Sequence, residues 1–145
     1  MIEKISYKAI IGSPLIAEYA AESSIPEIGP IDPQWDTYEI LEKSGLFHCF
    51  GAFTERELVG FAWFLSPVLP HYGKRVATLE SLFVAINFRR MAHGLALMKV
   101  VEHFAKSVGC VGILYSAPVG SKLEKLLSLR KKYRKTNSVF YRSLI

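Results

Sequence analysis

Leu79-Glu80-Ser81-Leu82-Phe83-Val84-Ala85-Ile86-Asn87-Phe88-Arg89-Arg90-Met91-Ala92-His93-Gly94-Leu95-Ala96-Leu97-Met98 passes from an apolar segment of β-type composition, through a short basic stretch, into an amphipathic helix. The strand reads back to Lys74 and forward to Ile86. The helix reads from Arg90 to Val108, because Leu97, Val101, Phe104 and Val108 recur at helical spacing while Lys99, His103 and Lys106 share another face. Gly109 stops it. Cys110 to Ser116 then reads as a second buried strand. A strand, a helix and a strand in this order predict a parallel crossover, right-handed by the usual chirality of such units.

Upstream, Ile2 to Ile10 alternates and predicts an edge strand. Gly12-Ser13-Pro14 opens a helix running to about Ser23, with Pro at the first helical position. Three prolines between Ser24 and Pro33 mark a loop, and Gln34 to Lys43 a short helix. Leu46 to Phe53 and Leu58 to Leu65 predict an antiparallel hairpin across the four-residue turn Thr54-Glu55-Arg56-Glu57. These two strands and the one at Lys74 to Ile86 are apolar on both parities, so both of their faces should be covered. Downstream, Ser121 to about Arg130 predicts a helix. Lys132 to Thr136 and Val139 to Leu144 predict a closing hairpin. The order βααβββαβαββ describes an α+β layered domain, with a mixed but mostly antiparallel sheet of about seven strands and about four helices.

At 145 residues the chain has the size of one compact domain, 1–145, with half its residues apolar and 21% charged. Its net charge of +5 favours an anionic partner. The apolar run Phe61 to Leu65 falls far short of the roughly 18 residues of a membrane span. Met1 to Ser6 lacks the basic and apolar regions of a signal peptide. Cys49 and Cys110 sit in apolar runs without metal-ligand spacing, which predicts reduced core residues of a cytoplasmic protein and no metal.

The chemistry concentrates in the opening stretch. Unpaired N–H groups at a helix N-terminus form a ready anion site. Gly94, in the first helical turns, costs about 1 kcal/mol against Ala. That cost is explained if a pyrophosphate approaches the backbone there, or, more plainly, if the helix packs closely on the strand. Neither of the common nucleotide motifs, G-x-x-x-x-G-K-[ST] or G-x-G-x-x-G, is present. Glu80 is a lone carboxylate in an apolar strand, sharing parity with Val76, Thr78, Leu82 and Val84. Burial would raise its pKa toward neutrality and suit it to general-base work. The plainer alternative is a water-filled groove or a surface Lys partner.

The loop resembles the coenzyme A loop of GNAT-type N-acetyltransferases, V-x-P-x-Y/F-R-x-x-G-x-G/A-x-x-L-[LM]. Val84, Phe88, Arg89, Gly94, Leu97 and Met98 match, while Ile86 stands for the usual Pro and Ala92 for the first Gly. Ala92 suits the loop if its φ is negative, as in a first helical turn. The element order agrees with that family over most of the chain, and the Pro70-His71-Tyr72 loop is similar to that of compact, phage-borne members. The resemblance implies a GNAT-like three-layer fold and acetyl-CoA as cosubstrate. It implies that backbone groups of Leu82, Phe83 and Val84 hold the thioester and pantetheine arm. Arg89, Arg90, Met91, Ala92, His93, Gly94 and Leu95 would hold the pyrophosphate. It also implies catalytic roles for Glu80 as base and Ser116 as a polar residue near the arm; the alternative for Ser116 is a helix cap. The usual general-acid Tyr is missing, since Leu126-Leu127 occupy that region.

For the amine acceptor, His71, Tyr72 and Trp35 are candidate lining residues, against an exposed turn for the first two and a core aromatic for the third. The basic run Arg130-Lys131-Lys132-Tyr133-Arg134-Lys135 reads either as attraction for the coenzyme or a nucleic acid, or as a solvated helix end. The expected activity is direct acetylation of a primary amine on a small molecule or protein, by a monomer or homodimer without membrane contact. The alternatives are acetylation of an aminoacyl-RNA or modified nucleic acid, and a non-catalytic coenzyme-binding regulator.

Overall fold

The computed structural model describes residues 1–145. Strands β1 (Ile2–Ile5), β2 (Phe47–Thr54), β3 (Glu57–Leu65), β4 (Val68–Leu69), β5 (Lys74–Val84) and β6 (Gly112–Tyr115) form one sheet. Its helices are α1 (Tyr7–Ile11), α2 (Leu15–Glu22), α3 (Trp35–Lys43), α4 (His93–Ser107) and α5 (Lys122–Leu129), with a 3-10 segment at Ile86–Met91. β1, β2, β3 and β5 pair antiparallel in that order, and β6 pairs parallel to β5. β4 continues the lateral position of β3 after Ser66-Pro67, since Leu65↔Thr78 and Val68↔Arg75 lie on one register.

The central strands have both faces covered, as their composition predicts. One core packs Phe50, Ala62, Phe64, Ala77 and Leu79 against Leu97, Val101 and Ala105 of α4. The other packs Phe47, Cys49, Phe61, Trp63 and Phe83 against Tyr7, Ile10 and Leu15 of the N-terminal helices. β3 and β5 approach closely at Gly60, where a Cβ would lie 2.8 Å from the Phe83 carbonyl oxygen.

Several expectations are corrected. The first strand ends at Ile5: Ser6 accepts a hydrogen bond from the Lys8 N–H and caps α1, turning Tyr7 and Ile10 inward. The hairpin turn has two residues, Glu55 and Arg56, both with positive φ (48° and 69°). A 3-10 segment precedes α4, so the regular helix starts at His93 and not at Arg90. β6 is a partly exposed edge strand and not a buried one. The closing hairpin is absent: residues 134–145 form no strand, and Val139 and Phe140 are 90% and 91% exposed. The sheet therefore has six strands, with five α-helices around it.

Candidate active site

Parallel pairing of β5 with β6 runs from Val76↔Gly112 to Leu79↔Tyr115 and stops. β5 continues to Val84, paired on its other side with β3, so Glu80 to Val84 have no strand partner toward β6. The next register positions would oppose Glu80 to Ser116. The two residues nominated as catalytic thus stand on either side of the point where the strands part.

Glu80 does not share the face of Leu82 and Val84. The β3–β5 register slips between Trp63↔Ser81 and Phe64↔Leu79, which makes Glu80 the extra residue of a β-bulge. Leu79 and Val84 belong to the core under α4, whereas Phe83 belongs to the core under the N-terminal helices and Ser81 bonds to Tyr19 of α2. The bulge turns Glu80 toward α3, where the Tyr38 hydroxyl donates to its Oε1 at 3.0 Å. Glu80 is open to solvent by accessible area, yet the protein packed around its carboxyl raises its pKa; the Tyr38 bond acts the other way without cancelling this. Tyr38 itself is held well above the usual phenol range, first by burial and then by the Glu80 charge, so it stays a donor. Tyr38 and Tyr19, whose hydroxyl lies 2.6 Å from Ser81 Oγ, are the site residues that sequence reasoning missed. The i, i+3 spacing of Trp35 and Tyr38 on a short helix was the available signal.

At the other end of β5, Ala85 leads into the 3-10 segment. Arg89, although exposed, folds back along the end of β5: its Nε donates to the Val84 carbonyl at 2.8 Å, and its guanidinium pairs with Glu22 at 2.6 Å and covers the Phe83 ring. Glu18 accepts the Ile86 N–H at 2.8 Å. α2 thereby fixes the loop from below. Arg90 and Met91 are exposed.

Ala92 takes the left-handed conformation, φ 57°, ψ 15°, which corrects the expectation of a negative φ. This is the geometry for which glycine is the ordinary choice. No side chain caps α4, and at its start the Ala96 N–H donates to the Ala92 carbonyl at 3.1 Å. The N–H groups of His93, Gly94 and Leu95 precede that bond and have no intrahelical acceptor. A Cβ on Gly94 would meet only Val84 Cγ2, at 3.9 Å, so close helix packing does not require glycine there. An open helix end, a glycine free of packing demands and an unpaired strand edge fit an extended diphosphate-bearing ligand. The His93 Nε2 is buried with no partner.

The remaining candidates divide. Trp35 stacks on Tyr7 (5.9 Å between ring centres) and leans on Tyr38 (5.6 Å), so it joins the aromatic group beside Glu80. His71 and Tyr72 pack on each other in the turn before Lys74. That turn lies six residues from Glu80 along β5, roughly 20 Å at strand rise, so the structure does not bring them together. Ser116 is exposed, and the cap of α5 is Ser121, which accepts the Glu124 N–H. The tyrosines nearest the end of β6 point elsewhere: Tyr115 and Tyr133 both donate to Glu102 of α4. No group of three or more His, Cys, Asp or Glu gathers to hold a metal, and no helix is long and apolar enough to cross a membrane.

Pairing between β5 and the edge strand β6 thus ends beside an uncapped helix, leaving a strand edge and a helix end open together. The family model described as acetyltransferase (GNAT) family matches residues 15–122, and the chain belongs to this family of acetyl-CoA-dependent N-acetyltransferases. Among solved structures, it is similar over 100% of its length to 99% of a ribosomal-protein-alanine N-acetyltransferase from Brucella melitensis biovar Abortus 2308 (TM-score 0.72, 22% identity). It is also similar, again over 100% of its length, to 96% of the aminoglycoside acetyltransferase meta-AAC0020 from an uncultured soil metagenomic sample (TM-score 0.75, 20% identity). A third is the aminoglycoside N-acetyltransferase AAC(6')-Iy in complex with CoA, with both chains covered at 100% (TM-score 0.69, 17% identity). No curated protein matches the chain's sequence.

Proposed function

We propose that residues 1–145 act as one catalytic domain that acetylates a primary amine of a small molecule or a protein, with Glu80 as the general base. The observation that carries this is the parting of β5 from β6 after Leu79↔Tyr115, with Glu80 and Ser116 at its mouth. Neighbours named for aminoglycoside and ribosomal-protein acetylation support an amine acceptor of either size. Two free cysteines suit a reducing compartment such as the cytoplasm.

Acetyl-CoA supplies the acetyl thioester. The unpaired edge of Leu82, Phe83 and Val84 offers main-chain groups to the arm. The backbone from Arg89 to Leu95, above all the free N–H groups of His93, Gly94 and Leu95, receives the pyrophosphate. An ammonium must lose a proton before it attacks. Glu80, with its raised pKa, takes that proton, and Tyr38 fixes its Oε1. Trp35 walls the approach, and Ser116 lines the far side. Tyr115 and Tyr133 are committed to Glu102, so the thiolate leaves without a dedicated acid. A thiol of pKa about 8.5 tolerates this.

The test is thiol release from acetyl-CoA with a panel of amines, including a polyamine, an aminoglycoside, an N-terminal alanyl peptide and an aminoacyl-RNA. Glu80→Gln is expected to lower kcat/KM by about 100-fold or more. Unchanged turnover in that variant would remove Glu80 as base. Absence of coenzyme binding by calorimetry would remove the whole reading.

A further inference from the structure

Charge is unevenly spread along the chain. Residues 120–145 hold eight of the 18 Lys and Arg but one of the 13 Asp and Glu, which leaves residues 1–119 with ten cations against twelve carboxylates. The whole positive excess of the protein therefore lies in the segment that begins with α5. It includes the basic run that the sequence left between two readings.

The middle of that segment is anchored and its continuation stands free. Lys132 and Tyr133 both donate to Glu102 of α4, and Lys132 Nζ lies 4.8 Å over the Tyr133 ring. Tyr115 is the third donor to Glu102. Burial works to raise the Glu102 pKa, but these bonds outweigh it and hold the carboxyl ionised. Beyond this anchor, residues 134–145 form neither helix nor strand. Arg134, Lys135 and Arg142 are exposed and have no carboxylate partner. Val139, Phe140, Tyr141, Leu144 and Ile145 are exposed among them. A segment that only solvates itself is rich in charge and poor in aromatic residues. Here open aromatic rings stand between uncompensated cations.

We propose that residues 134–142 dock a single-stranded nucleic acid, with Arg134, Lys135 and Arg142 on phosphates and Phe140 and Tyr141 against bases. The strand is a docked partner and not the acetyl acceptor. None of these residues belongs to the acyl-transfer site, so the proposal stands apart from that reading. Cations supply the affinity for the sugar-phosphate chain, and every base offers a face on which an aromatic ring stacks. The irregular backbone favours a flexible strand over other anions. The major groove of a duplex takes a preformed helix or ribbon. An anionic bilayer takes an amphipathic helix, which this segment does not form.

Fluorescence anisotropy tests this with a labelled RNA oligonucleotide of mixed sequence, its DNA counterpart and their duplex forms. The proteins are the intact chain, R134A/K135A/R142A, F140A/Y141A and Lys74→Ala. The single strands are expected to bind with a log–log salt slope of about −2, from three phosphates at about −0.7 each. The tighter of RNA and DNA identifies the natural class, and either upholds the proposal. R134A/K135A/R142A is expected to lose about 10-fold or more at low salt and to flatten the slope. F140A/Y141A is expected to lose about 10-fold and to keep the slope. Lys74→Ala removes an exposed cation at the start of β5 and is expected to change neither. All variants are expected to keep the parent's circular dichroism, since none of these side chains lies in either core. Absence of binding, equal binding by every variant, or displacement of the strand by excess CoA would overturn the proposal. So would tighter binding to the duplex, to phosphatidylserine vesicles or to polyglutamate.

Discussion

Ala92 and Gly94 stand two residues apart and carry opposite mismatches between residue and backbone. Ala92 holds a left-handed conformation that costs an L-residue about 1–2 kcal/mol. Gly94 sits in a right-handed helix with room for a methyl group, where glycine costs up to about 1 kcal/mol. Ala92→Gly is therefore expected to raise stability by about 0.5–1 kcal/mol, after the extra entropy of glycine in the unfolded chain is set against the relieved strain. Gly94→Ala is expected to raise it by a similar amount in the absence of ligand and to weaken CoA binding. Urea unfolding paired with calorimetry separates the two, and a loss of stability in Gly94→Ala would show that the glycine serves packing after all. The sequence disclosed Gly94 because its cost has few explanations. It did not disclose the sign of φ at Ala92, because alanine is an ordinary helix residue and only the 3-10 segment ahead of it forces the turn.

At the level of elements, legibility followed burial. The strands covered on both faces and the amphipathic α4 announced themselves, since an apolar pattern records contacts that bury it. The bulge at Glu80 left no pattern, and parity reasoning carried Glu80 to the face of Leu82 when the inserted residue had turned it toward Tyr38. The C-terminal residues from Val139 to Leu144 show why composition misleads at a chain end: they have strand composition, yet no partner covers them. The hairpin of β2 and β3 gives a prediction at this scale. Its two turn residues, Glu55 and Arg56, both occupy the left-handed region, which a two-residue turn between right-twisting strands demands and which Asn-Gly adopts readily. The double substitution E55N/R56G is expected to stabilise the protein by about 1–2 kcal/mol with no effect on coenzyme affinity. A thermal midpoint that falls would mean that these side chains supply contacts outweighing their strain.

Over the whole molecule, two groups pull the pH dependence of stability in opposite directions. His48 on β2 is buried against Phe64 and Phe104, and its Nε2 lies 3.0 Å from Ser66 Oγ, at the break between β3 and β4. Burial lowers its pKa below 6.5, and the charges of Lys4 and Arg75 push the same way. Between the lowered folded value and 6.5 the unfolded chain binds more protons, so His48 contributes stability above that window and loses it as the pH falls through it. Glu80 acts in the reverse sense. Its folded pKa lies above 4.5, so the stability of its protonated form is present at low pH and is lost as the pH rises through the folded value. Glu80→Gln is accordingly expected to stabilise the protein at neutral pH, relative to its effect at pH 4, while it removes the base. The ionised carboxylate that the chemistry needs is the form the fold holds less well. His48→Gln can keep a hydrogen bond to Ser66 without titrating, and is expected to flatten the acid limb of the stability profile below pH 6.5. Unfolding free energies from pH 4 to pH 8 for the two variants and the parent test both signs. An acid limb between pH 5 and pH 6.5 left unchanged by His48→Gln would remove His48 as its source, since Glu102, held below 4.5 by its three donors, gives up its stability only at lower pH.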